Sequence, residues 1–209
     1  MRTIMSLALL GSAMTLAACE AQNQEAAEDV LAMENDGQAV PANGGMEAMG
    51  ATSTGAGALQ TAALRTADGQ QIGTANVRGE LGSVVLTVDV NRMQPGTYGM
   101  HVHAVGKCEG PKFESAGPHW NPENKQHGTQ NPQGAHAGDL ENLTIGQNGS
   151  GGATLTLSGI ELDSGQNPLL DADGAALVIH AKADDYRTDP SGNSGDRVAC
   201  AVLGGAKPS

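Results

Sequence analysis

An all-β fold is what this sequence predicts, on three observations. Short segments rich in Val, Leu, Ile and Thr recur between residues 59 and 203, turns built on Gly and Pro separate them, and aromatic residues make up only 2 % of the chain. Runs of this kind bounded by Gly, Pro, Asn and Asp read as strands, and many of them in series read as a sandwich or barrel. The core must be aliphatic. The 209 residues leave room for one such domain with appendages, since domains typically run from about 100 to 200 residues.

Four strands are expected first: Leu59 to Thr66, Ile72 to Glu80, Ser83 to Met93 and Thr97 to Val105, parted by Ala67-Asp68-Gly69, Leu81-Gly82 and Gln94-Pro95-Gly96. The third is the clearest, because Val84, Leu86, Val88 and Val90 alternate with Val85, Thr87, Asp89 and Asn91, the period of a strand with one face on a core. The fourth contains Met100-His101-Val102-His103-Ala104. Residues two apart on a strand share a face, so His101 and His103 stand together, opposite Met100, Val102 and Ala104. After Gly106 comes a stretch of Gly, Pro, Asn and His with little periodicity, and loops of that length inside compact domains are usually functional. Four more strands follow at Leu140 to Ile145, Ala153 to Ser158, Ala175 to Lys182 and Arg197 to Leu203, with a second irregular stretch from Asp184 to Asp196. That makes eight strands and two long loops.

Upstream of this domain, residues 1–18 combine a basic start at Arg2 with a short apolar run and read as a secretory signal, too short to span a bilayer comfortably. The run ends in Leu16-Ala17-Ala18-Cys19, which resembles the bacterial lipobox. In that reading Cys19 is lipidated; in the other, the signal is simply cleaved. Residues 19–57 are rich in Ala, Gln, Asn, Gly and acids and read as a flexible tether, since such a composition cannot bury enough surface to offset ordering entropy. The folded domain is expected over residues 58–209. Seven of the 23 acids and Arg2 precede it, leaving 16 acidic and 10 basic residues and a net charge of -6. The balance excludes nucleic acid or an anionic membrane surface as a docking partner.

The six histidines all fall between residues 101 and 180: His101 and His103 on a strand, His119, His127 and His136 in the first long loop just before Asp139, and His180 closing a later strand. Three imidazoles with a carboxylate match a closed tetrahedral zinc site, and four imidazoles match a tetragonal copper site. Six histidines for seven imidazole positions require one of them to bridge two metals.

His101-Val102-His103, Ala116-Gly117-Pro118-His119-Trp120-Asn121-Pro122, His127, His136-Ala137-Gly138-Asp139-Leu140, Val178-Ile179-His180-Ala181-Lys182-Ala183-Asp184-Asp185 and Gly192-Asn193-Ser194-Gly195-Asp196-Arg197-Val198-Ala199-Cys200 together resemble the copper/zinc superoxide dismutases, over residues 58–204. The resemblance implies an eight-stranded antiparallel Greek-key β-barrel of immunoglobulin-like sandwich architecture. It implies one copper per subunit on His101, His103, His119 and His180, and one zinc per subunit on His119, His127, His136 and Asp139, with His119 the bridge. Asp184 is expected to accept the far ring N–H of His101 and of His127, and such carboxylates fix the tautomer of a metal-bound imidazole.

The same resemblance implies dismutation of superoxide to dioxygen and hydrogen peroxide by alternating copper reduction and oxidation. His119 then carries a proton to the product, and Arg197 docks the anion over copper despite the negative net charge. Lys125 and Arg187 lie in the loops expected to flank that pocket, although both are more often solvated charges. Cys108 and Cys200, the only cysteines of the folded part, are expected to pair, as an even count does in an exported protein. Trp120 packs beneath its own loop or faces a partner subunit. The expected setting is the periplasm or cell envelope, with superoxide as substrate, the membrane reached only through the N-terminal lipid, and a homodimer left open. The competing reading is a non-catalytic copper/zinc-binding protein on the same scaffold.

Overall fold

The computed structural model describes residues 59–205. The expected signal over 1–18, the lipidation site Cys19 and the tether over 19–57 lie outside the described residues. Nine strands form: β1 (Gln60–Thr66), β2 (Gln71–Glu80), β3 (Ser83–Val90), β4 (Gly96–Tyr98), β5 (Met100–His103), β6 (Leu143–Ile145), β7 (Gly151–Ser158), β8 (Ala175–His180) and β9 (Arg197–Gly204). Among the described residues the helical content is one 3-10 turn, Glu114–Ala116. Seven strands make one antiparallel sheet in the order β5-β8-β9-β1-β2-β3-β7, and β4 pairs with β6 in a short ribbon. Chain continuity ties that ribbon to both edges of the sheet. β4 leads into β5, and β6 leads into β7 through a turn closed by Gly146 N–H to the Ser150 carbonyl (2.9 Å). The sheet is curled accordingly.

The all-β expectation is met, with one correction of detail. The single strand expected from Thr97 to Val105 is two, because at Gly99 the chain changes partner. β4 pairs with β6, whereas Gly99 donates to the Lys182 carbonyl (2.7 Å) and accepts from His180 N–H (2.8 Å), and β5 then runs beside β8. A Cβ at Gly99 would stand 2.8 Å from the Ser194 side chain, so any larger residue would push the second long loop off the strand.

The alternation read in β3 reflects its packing: Val84, Leu86 and Val88 are fully buried while Asp89 is exposed. They join Leu64, Ile72, Val77, Met100, Val102, Leu143, Leu169, Leu177, Ile179 and Leu203 in an almost wholly aliphatic core. Each such side chain contributes about 1.5–3 kcal/mol by leaving water. A smaller cluster of Phe113, Ala116, Ala176, Val178 and Cys200, with Cys108 against it, fills the space under the first long loop. The expected disulfide is there, joining Cys108 to Cys200 across 92 residues with 5.7 Å between Cα atoms. On the chain-entropy account a loop of that length stabilises the fold by about 4–5 kcal/mol.

Candidate metal centre

The β5–β8 register builds the first part of the site. Met100 pairs with Ile179, His101 with Val178 and His103 with Ala176, so the two imidazoles rise from the sheet face opposite Met100 and Val102. All four β5 residues are buried, because the first long loop covers the histidine face. That loop is captured by the free edge of β5. Val102 N–H donates to the Gly138 carbonyl (2.9 Å), Trp120 N–H donates to the Val102 carbonyl (2.8 Å), and Ala104 N–H donates to the Pro118 carbonyl (2.9 Å). As a result His119 lies opposite His103 and Asp139 opposite His101. A Cβ at Gly138 would stand 2.3 Å from the Val102 carbonyl, so the approach requires glycine.

Hydrogen bonding decides which ring nitrogens remain free. His103 Nδ1 donates to the Gly117 carbonyl (2.9 Å) and His180 Nδ1 to the Gly195 carbonyl (3.1 Å). His101 Nε2 meets Asp184 Oδ2 at 2.6 Å. Four buried nitrogens are left without a protein partner: His101 Nδ1 and the Nε2 atoms of His103, His119 and His180. The four residues each place a ligand atom within 4.8 Å of the others. An unsatisfied buried polar group costs about 1–3 kcal/mol, so four converging lone pairs form a site that an electrophile completes. This is the set expected for copper, and the donor chemistry fits.

The remaining expected ligands converge on the far side of His119. His119 Nδ1 and His127 Nδ1 each lie 2.9 Å from Asp139 Oδ1, His136 Nδ1 lies 3.2 Å from it, and His136 Nδ1 and His119 Nδ1 are 3.3 Å apart. Those separations approach the edge, about 3.3 Å, of a tetrahedron whose corners sit at zinc–ligand distances. His101 also comes within 4.8 Å of the ligand atoms of His119, His127 and Asp139. Its Nε2 is taken by Asp184 and its Nδ1 belongs to the unpartnered four, so His136 is the better fourth member. Asp139 Oδ2 accepts from the backbone N–H of Gly128 and of His136, which fixes its orientation.

Asp184 joins the two sets. Its buried carboxylate meets His101 Nε2 at 2.6 Å and His127 Nε2 at 3.0 Å, and accepts from Tyr186 N–H at 2.6 Å. Burial alone would raise its pKa, but the hydrogen bonds from His101, His127 and Tyr186 hold it well below the usual carboxylate range. Asp139 is likewise held low, burial being outweighed by the bonds from His119, His127 and Gly128. Burial pushes the imidazole pKa of His103 down to about 2 and of His180 down to about 3, with neighbouring positive charge adding to both. Burial lowers His119 to about 4 even though Asp139 pulls the other way. His127 differs: burial lowers it, but the carboxylates of Asp139 and Asp184 win and raise it to about 9. Neutral His103, His119 and His180 at pH 7 are in the metal-binding form.

Arg197 opens β9 directly opposite His180. Its guanidinium donates to the Phe113 and Gly117 carbonyls, both at 2.7 Å, and burial lowers its pKa. The Gly117 carbonyl also accepts from His103, so one backbone group aligns Arg197 with a candidate copper ligand. Arg197, His103, His119, His136 and His180 line a cavity of about 880 Å³. Lys125 lines it too, paired with Glu123 at 2.6 Å. Arg187 is not among the lining residues and donates to Gln130 instead. Trp120 is 5 % exposed and packs into the core beneath its own loop.

Several residues that shape the site escaped sequence reading. Gly192, at φ +62°, would place a Cβ 1.8 Å from Asp184 Oδ1 and 2.7 Å from His127 Nε2. Asp189 accepts from His127 N–H (2.6 Å), and Asn142 bonds the main chain of Asp184. A glycine within the Gly192-to-Cys200 run and polar residues in aperiodic loops gave no signal beyond their positions.

Comparison with known proteins gives one answer. Residues 71–203 match the family described as copper/zinc superoxide dismutase (SODC). The chain is 46 % identical over 118 residues to the superoxide dismutase-like protein YojM of Bacillus subtilis, covering 56 % of this chain and 60 % of that protein. It is 38 % identical over 137 residues to Cu-Zn superoxide dismutase 1 of Aquifex aeolicus, covering 65 % of this chain and 81 % of that one. A crystal structure of a SOD-like protein from Bacillus subtilis superimposes with a TM-score of 0.67 at 38 % identity, covering 70 % of this chain and 99 % of the other.

Proposed function

The chain belongs to the copper/zinc superoxide dismutase family, and on that premise we propose that it dismutates superoxide to dioxygen and hydrogen peroxide in the cell envelope. The observation that carries the reading is the pair of ligand sets sharing His119: four unpartnered buried imidazole nitrogens on one side, three nitrogens and a carboxylate oxygen on the other. His101, His103, His119 and His180 would hold copper, and His119, His127, His136 and Asp139 would hold zinc. When bound, copper supplies one-electron redox chemistry, whereas zinc, which has none, supplies fixed charge.

The protein's own groups do the rest. Two superoxide anions and two protons become one dioxygen and one hydrogen peroxide. Arg197, fixed by two carbonyls beside His103, draws the anion into the cavity by a local field that the net charge of -6 on residues 58–209 does not cancel. His119 Nε2, which has no partner within the protein, would hold a proton and pass it to the product. Asp184 keeps His101 and His127 in the tautomers the sets require.

The pattern Leu16-Ala17-Ala18-Cys19 supports export with a lipid on Cys19, and the disulfide fits an oxidising compartment. A Cys19→Ser variant then loses palmitate labelling, and persistent labelling would contradict the anchor. The name of the Bacillus subtilis relative, superoxide dismutase-like, favours a second reading, a metal-binding protein without turnover. Pulse radiolysis on the full chain with copper and zinc content measured in the same sample decides. Superoxide decay proportional to copper supports the enzyme, and stoichiometric copper without catalytic decay supports the binding protein.

A further inference from the structure

We propose that Asn142 is a positioning residue for the zinc half of the centre, acting through Asp184. The inference rests on the reading that His119, His127, His136 and Asp139 hold zinc. Asn142 stands three residues beyond Asp139 and immediately before β6. Its side chain grips the main chain of Asp184 at two points: Oδ1 accepts Asp184 N–H at 2.8 Å and Nδ2 donates to the Asp184 carbonyl at 2.9 Å. Its own backbone N–H donates to the Tyr186 hydroxyl at 2.8 Å. The segment that leaves one zinc ligand therefore holds the second long loop at the residue that orients another.

The chemistry restricts which side chain can do this. Asp184 is buried and makes no main-chain hydrogen bond through its own N–H or carbonyl among the described residues, so both need a side-chain partner. Only a carboxamide offers donor and acceptor side by side at this reach. Asp lacks the donor, and Ser has one oxygen for two tasks. With the backbone of Asp184 fixed, its carboxylate meets His127 Nε2, whose opposite nitrogen is in the zinc set. Released from Asn142, Asp184 keeps its charge but loses its place. Of the copper set only His101 leans on Asp184, while His103 and His180 are oriented by main-chain carbonyls instead, so copper binding should respond less than zinc binding.

The test is zinc affinity of the metal-loaded full chain, measured by competition with a chromophoric chelator, with thermal unfolding and copper affinity followed in parallel. Asp184→Ala is expected to weaken zinc binding by 10–100-fold, the usual effect of removing such a partner, and Asn142→Ala by about tenfold. In the Asp184→Ala background, Asn142→Ala should add nothing to the loss. Asn142→Asp should not restore affinity. Unchanged zinc affinity in Asn142→Ala, or a loss that adds to that of Asp184→Ala, overturns the proposal, since a merely structural residue would behave in those ways. Should Asn142→Ala fail to fold, Tyr186→Phe removes only the hydroxyl behind Asn142. A few-fold zinc loss that vanishes without Asp184 is then expected, and unchanged affinity is the contrary result. Zinc affinity untouched by Asp184→Ala overturns the proposal together with the reading of the zinc set, whereas a loss confined to Asp184→Ala overturns the proposal alone.

Discussion

The two halves of the centre are built from different material. His101, His103 and His180 come from paired strands, and their positions follow from the β5–β8 register and from two backbone carbonyls. His119, His127, His136 and Asp139 come from a long loop. Their positions follow from hydrogen bonds to the β5 edge, to Asp184 and Asp189, and from glycines that let backbones touch. A strand pair holds its side chains at the outset. A loop with one 3-10 turn and isolated bridges to β5 must offset its ordering entropy separately, so the zinc half is the one that depends on metal and on loop contacts.

His119→Ala should have the largest effect, because of the two proposed ligand sets only this residue serves both, Nε2 in one and Nδ1 in the other. Both copper and zinc should be lost, as read by elemental analysis, and retention of either at full occupancy would separate the halves. Acid is next. In the metal-free protein His103, His119 and His180 titrate well below their unfolded value of about 6.5. Between pH 6.5 and about 4 the unfolded chain takes up protons that the folded one refuses, and stability falls by roughly 1–4 kcal/mol per pH unit. His127 opposes this only at the other end: its raised value contributes stability that is full below pH 6.5 and lost as pH rises through about 9. Urea midpoints from pH 8 to 4 check the sign, and a flat profile would mean that His103, His119 and His180 are not shielded from protons.

Gly192→Ala sharpens the comparison from the loop side. Its Cβ would collide with Asp184 and His127, so the fold should lose about 1–3 kcal/mol and zinc should dissociate faster, with copper less affected. Equal loss of both metals would show the halves to be less separable than their construction implies. Arg197→Glu should leave both metals bound and slow superoxide turnover by about tenfold or more through loss of the local field. An unaltered rate would remove Arg197 from the mechanism.

What could be read from the chain divides along the same line. The strands were legible because a period of two is enforced by burial, as at Val84, Leu86 and Val88. The break at Gly99 was not, since nothing local records that β4 and β5 have different partners. The candidate ligands stood out because His and Asp in family spacing carry their chemistry openly, and the same resemblance pointed to Asp184, Arg197 and the disulfide. Asp189 and Asn142 act through contacts across more than forty residues of chain, and Gly192 matters because it abuts both Asp184 and the distant His127. No short-range pattern encodes those contacts, so only the fold reveals them.

The central claim is that six histidines and one aspartate make two metal sites with His119 between them. Anomalous diffraction at the copper and zinc edges from crystals of the metal-loaded protein tests it most directly. The account predicts one copper peak among His101, His103, His119 and His180 and one zinc peak among His119, His127, His136 and Asp139. A single metal peak, or two peaks of which either lacks His119 as a ligand, would contradict it.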